Sequence, residues 1–256
     1  MSALGDLIPF VNLALWQGFV VFLRVAAITA LLPAFGEQSI PTRVKLVIAL
    51  AFTAIVAPAV SISIPDPGFD RMVLLVFTEV LSGLAMGIGL RLFILALQTA
   101  GSIAAQSTSL SQVLGGASVD PLPAMGYILI VAGMALAAMA GLHVKAAQLI
   151  ILSYEFLPVG RFVQATQVSD WGVRQVAQAF SLAFTLAAPF VILSVLYNFA
   201  LGAINRAMPQ LMVAFVGAPV ITLGGLALLF VAAPFMLTVW LDAMDAFMAD
   251  PFGVAR

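Results

Sequence analysis

The sequence predicts an all-α protein embedded in a membrane, built from about six long, partly bent helical segments. Three observations predict it. Of 256 residues, 63% are hydrophobic and only 8% charged, whereas a soluble domain carries about a quarter of its residues as charges. The apolar residues are gathered into runs longer than the roughly 20 that a helix needs to cross about 30 Å of hydrocarbon. Those runs are continuous and lack the ten-residue alternation of a membrane barrel, so each backbone N–H and C=O must be satisfied within its own helix.

The first run, about 7–35, is too long for the apolar region of a signal peptide, and Asp6 stands where a basic leader would be expected, so this segment is expected to be retained. It ends in turn chemistry from Pro33 through Gly36 to Pro41, after which a second run covers about 44–60. Pro65-Asp66-Pro67-Gly68 separates that run from a third at about 72–106. A straight helix over the third would reach about 50 Å, so it must tilt, bend or leave the bilayer. Gly115-Gly116 and Pro121 with Pro123 precede the fourth run, 125–152. Pro158-Val159-Gly160 precedes the fifth, 176–204, and Met208-Pro209 the sixth, 211–241. No flexible linker divides them, so residues 1–256 are read as a single helical domain with a C-terminal hairpin over about 176–241. The basic residues fall on both sets of connections, and the positive-inside rule gives only a weak vote on orientation.

Several function classes fall away on residue content. A net charge of -1 with ten scattered basic residues makes no basic patch, so nucleic acid is not an expected partner. With one histidine and no cysteine, neither a thiol nucleophile nor a multi-histidine metal site can be assembled, and no cofactor is expected. The motifs of metalloproteases, serine hydrolases, P-loop proteins and dinucleotide-binding domains are missing, and the chain is read as no enzyme. His143 has no carboxylate at helical spacing and is read as packed or interface-facing.

Arg24, Glu79 and Arg91 lie inside apolar segments, where each costs about 2.5–3.5 kcal/mol to insert. Such charges line a water-filled path, meet a partner subunit, or form ion pairs between helices. Glu79 and Arg91 stand twelve positions apart and cannot meet on one straight helix, so any pair is made across helices. Small residues mark packing faces, because helices in lipid associate by close backbone approach. Gly83 and Gly87 form one such face, and Asn198, Gly202, Asn205 and Pro209 form a polar and small stripe along another. Spacing leaves open whether that stripe meets partner helices or the same chain.

That stripe opens a longer pattern, Asn198, Gly202, Asn205-Arg206, Pro209-Gln210 and Gly217-Ala-Pro219, which resembles the FliR proteins of flagellar export gates and their counterparts in type III secretion systems. Arg24 through Pro33, Gly36, Pro41, Val44-Lys45, His143 and Leu157-Pro158 extend the resemblance over nearly the whole chain. It implies a FliP-like part joined to a FliQ-like hairpin, assembled with FliP-like and FliQ-like subunits in the bacterial inner membrane at the flagellar basal body. It further implies FlhB-like and FlhA-like partners and unfolded export substrates passing through a central channel. A pore-plugging loop is implied over about 106–124, although Ser107-Thr108-Ser109 departs from the glycine expected there. Leu110, Val113, Leu114, Gly115 and Gly116 are its candidate sealing residues. The alternative is a small-solute secondary transporter, which would predict inverted repeats and a charged midplane site. No repeat is evident in the sequence.

Overall fold

The computed structural model describes residues 2–60, 69–108, 124–161, 164–208 and 213–253. Among them are seven helices and no strand: α1 (Ser2–Leu31), α2 (Thr42–Ala59), α3 (Phe69–Thr108), α4 (Ala124–Met139), α5 (Leu142–Phe156), α6 (Ala165–Ala207) and α7 (Val213–Ala249). Five are long and apolar enough to cross a membrane, and α4 with α5 forms a broken pair bent by 75°. The chain is an all-α, multi-pass membrane protein.

The fourth expected segment is thus two helices. The break falls at Gly141, whose φ of 82° lies in the left-handed region, which glycine enters without the steric penalty a Cβ would bring. Hydropathy misses the break because glycine does not interrupt an apolar run. The fifth and sixth segments are longer than their apolar cores, α6 starting at Ala165 and α7 ending at Ala249. Hydropathy measures the part that fits the hydrocarbon, while helical hydrogen bonding continues into polar residues beyond it.

Two compact units are formed. The first comprises Met1–Arg91, Ala138–Gln175 and Met244–Arg256. Its core buries Val20, Val21, Val25 and Ile28 of α1 together with Met86 and Leu90 of α3 and Leu149 and Ile150 of α5. The α1 residues recur at helical spacing and define one buried face. Gln17 of α1 donates to the carbonyls of Ala57 at 2.8 Å and Val60 at 2.9 Å. It thereby satisfies the end of α2, where the last turn has no partners of its own.

The second unit comprises Leu92–Ala137 and Val176–Ala243. Trp240 of α7 is fully buried and donates from its indole to the Phe93 carbonyl at 2.8 Å. Gly133 of α4 leaves space for Leu97 and Trp240, since a Cβ there would lie 2.5 Å from the Leu97 side chain. Gly101 of α3 and Gly126 of α4 face each other so closely that side chains at both could not coexist with this spacing. Gly217 faces Tyr197 and Leu201, and Gly224 faces Leu193, so α6 and α7 run side by side in opposite directions as a hairpin.

Candidate functional site

The intramembrane charges are where the first unit concentrates its polar chemistry. Arg24 stands on the same α1 face as Val20, Val21 and Ile28 and is itself completely buried, as is Glu79 of α3. Its guanidinium donates to both Glu79 oxygens, from Nε at 2.8 Å and from Nη2 at 3.1 Å. Nη2 also donates to the Leu157 carbonyl at 2.8 Å and Nη1 to Ser153 Oγ at 3.1 Å. Leu157 closes the C-terminal end of α5, where exposed carbonyls and the helix dipole both favour a cation. Finally the guanidinium carbon lies 3.9 Å from the centroid of the Tyr154 ring, close enough for a cation–π contact.

This clamp depends on the small-residue face of α3. Gly83 lies one helical turn beyond Glu79, and a Cβ on it would sit 2.5 Å from the Arg24 carbonyl and 2.7 Å from the Ala27 side chain. Gly87 meets Leu31 in the same way at 3.0 Å. With glycine at both places α1 and α3 approach closely enough for a bidentate Arg24–Glu79 pair, which fixes geometry as well as energy. Two features that read as separate in the sequence are one interface, internal to the chain.

Arg91 does not meet Glu79. It pairs with Glu37, a residue of the α1–α2 connection, with both side chains partly exposed. Lys145 pairs with Asp245 at 2.6 Å, again partly exposed. In each case the ion pair joins different elements. Sequence reasoning missed Ser153, Tyr154, Leu157, Glu37 and the Lys145–Asp245 pair. Nothing local marks them, because their partners are 54 to 133 positions away. His143 is exposed on α5.

The hairpin residues are placed differently. Asn198, Gly202, Asn205 and Arg206 are all exposed near the C-terminal end of α6. A Cβ at Gly202 would find nothing within 4 Å among the described residues. Among the described residues, the Asn198 side chain bonds back to Ser194, one turn earlier in its own helix. Gly217 packs inside the hairpin, against Tyr197, while Pro219 is exposed. Pro209 and Gln210, like Leu110, Val113, Leu114, Gly115 and Gly116, lie outside the described residues.

The first unit thus holds an arginine clamp that ties α1, α3 and the end of α5, and the second unit holds a long hairpin with an exposed polar stripe. Comparisons with known proteins give the family. Residues 15–247 match the family described as bacterial export proteins, family 1. The chain is 35% identical over 226 residues to the Flagellar biosynthetic protein FliR of Caulobacter vibrioides, covering 87% of this chain and 90% of that one. It is 28% identical over 237 residues to the Escherichia coli protein of the same name, covering 89% and 86%. With the Bacillus subtilis protein of that name the identity is 26% over 225 residues, covering 86% and 84%. A match over nearly the full length, joined to the helical membrane architecture, makes this chain a member of the bacterial export protein family 1.

Proposed function

We infer that the chain is a structural channel component of the flagellar type III protein-export gate, needed for export of flagellar subunits and so for assembly of the flagellum. It works in the bacterial inner membrane as a multi-pass protein of the basal body. The reading rests on family membership and on relatives named for flagellar biosynthesis. The observation in the fold that carries it is the surface of the hairpin. Asn198, Gly202, Asn205 and Arg206 share a helix surface with Phe199, 75% exposed, while Phe230 and Phe235 of α7 are 84% and 71% exposed. Apolar side chains are at home in lipid, but a stripe of amides, a glycine and an arginine is not. Its natural neighbours are helices of other gate subunits, of the FliP-like and FliQ-like kinds, with FlhB-like and FlhA-like export proteins acting alongside. Residues 106–124 then serve as the plug across the export path, with Leu110, Val113 and Leu114 sealing it.

A secondary transporter would keep a charged site available for its cargo. Here Arg24, Glu79 and Arg91 are all consumed in ion pairs.

The experiment is assembly of hairpin variants. A Cβ at position 202 would find nothing within 4 Å among the described residues, so Gly202→Leu adds its bulk at an open surface, and Arg206→Ala removes a multidentate donor. Both should insert at wild-type abundance yet fail to co-purify with two smaller helical membrane proteins in mild detergent. Normal assembly and export in both variants would end the interface reading.

A further inference from the structure

A cavity of about 690 Å³ opens in the first unit between α3, the α5–α6 connection and the start of α6, a size typical of a bound small ligand. Leu81, Leu84 and Ile88 of α3 form one wall. Phe156, Phe252 and Trp171 form another, with Phe252 between the other two in tilted contacts whose ring centroids are 5.3 Å and 5.9 Å apart. Trp171 is pinned there by its indole, which donates to the Pro251 carbonyl at 2.7 Å. Thr78, on the α3 side, spends its hydroxyl on the Leu75 carbonyl of its own helix. The interior is therefore preformed and apolar.

Two cations stand at its edge. Arg161 and Arg174 both line the cavity and are both exposed, and neither takes part in an ion pair or side-chain hydrogen bond among the described residues. This contrasts with Arg24 and Arg91, which are paired. The first turns of α6 hold Gln167, Asp170, Arg174, Gln175 and Gln178, and the helix carries no further charge until Arg206. The uncharged stretch 179–205 is long enough to cross the hydrocarbon, and Arg161 and Arg174 precede it in the chain, where a headgroup region suits basic side chains. Trp171 belongs to the same level, as interfacial tryptophans do. Leu81 and Ile88 are each 51% exposed beside the cavity, so its wall continues onto surface suited to acyl chains.

We propose that this cavity binds an anionic phospholipid, with an acyl chain along the α3 wall and the aromatic floor and the phosphate held by Arg161 and Arg174. An apolar slot alone would accept any chain, but two unpaired guanidiniums at its mouth select a headgroup of net negative charge, whose phosphate takes bidentate donors and is not neutralised by an ammonium as in phosphatidylcholine. The N-terminal end of α6 adds the positive end of a helix dipole on the same side. The proposal rests on placement in the membrane, not on export, so its readout is bound lipid.

The test uses the complete gate purified in mild detergent and native mass spectrometry with added phosphatidylglycerol or phosphatidylcholine of identical chains. The wild-type gate should retain phosphatidylglycerol at one per copy of this chain and release phosphatidylcholine. Arg161→Gln with Arg174→Gln should weaken phosphatidylglycerol retention by about thirtyfold, the worth of two basic contacts to an anionic headgroup. Ala85→Phe, which fills the slot while leaving both arginines, should weaken retention of the same lipid. Equal retention of the two lipids, or undiminished phosphatidylglycerol in the double variant, overturns the proposal. A photoreactive residue at Val168, which also lines the cavity, gives an independent reading that needs no arginine variant. Cross-linking to lipid supports the proposal, and cross-linking to a protein neighbour instead overturns it.

Discussion

Replacing Arg24 with methionine separates two energies that act in opposite directions. Methionine removes a charge that costs about 2.5–3.5 kcal/mol to insert at a helix centre, so membrane insertion of α1 should improve. Folding should worsen, because Glu79 is completely buried and its two oxygens both receive Arg24 donors. Leaving that carboxylate without its cation costs about 3–5 kcal/mol in comparable buried pairs. The Leu157 carbonyl and Ser153 hydroxyl also lose their Arg24 donors, though Ser153 still donates to the Ile150 carbonyl at 2.6 Å. Glu79→Gln should cost a comparable amount, about 3–5 kcal/mol, because it leaves the fully buried Arg24 guanidinium charged and without its counter-ion. Arg24→Met combined with Glu79→Met should recover much of the loss, because an apolar pair of similar volume removes the orphaned charge. The assay is a double-mutant cycle on the purified chain, unfolded by denaturing detergent, with glycosylation-site mapping to score insertion separately. An Arg24→Met loss below about 1 kcal/mol, with no recovery in the double variant, would refute the claim that a desolvated pair holds α1 to α3.

Three further outcomes are expected, two from the packing just described and the last from the proposed plug. Gly83→Ala should destabilise the first unit by about 1–3 kcal/mol, because its Cβ would meet the Arg24 carbonyl at 2.5 Å. Gly172→Ala, with nothing within 4 Å, should be neutral or gain about 0.5–1 kcal/mol of helix stability, and equal losses at the two sites would contradict the close approach. Trp240→Phe removes the indole bond to Phe93 and should cost at least the ~1 kcal/mol net worth of a buried hydrogen bond, read as a lower midpoint of unfolding. Deleting residues 110–116 should leave the gate assembled but raise ion leakage through cells expressing it, and unchanged permeability with assembly confirmed would remove the plug role.

How much was legible beforehand differs by feature. Composition and apolar run length decided the solvent, and the solvent decided the architecture. Hydrocarbon permits only segments that satisfy their own backbones, so helices could be placed from residue content alone. The spacing of Gly83 and Gly87 marked a close-packing face, and Arg24 and Glu79 marked charges in need of partners, because both properties are local to a helix. Which surfaces meet is not local. Glu79 became linked to Arg24 rather than to Arg91, Arg91 went to Glu37, and Lys145 found Asp245 a hundred positions away. Nor could hydropathy see that α5 would end with the Leu157 carbonyl aimed at the Arg24 guanidinium, or that Gly141 would split the fourth segment. Those outcomes depend on side chains brought into contact across the chain, where hydrogen-bond geometry and close approach, acting over a few ångströms, choose among partners that the sequence leaves equally available.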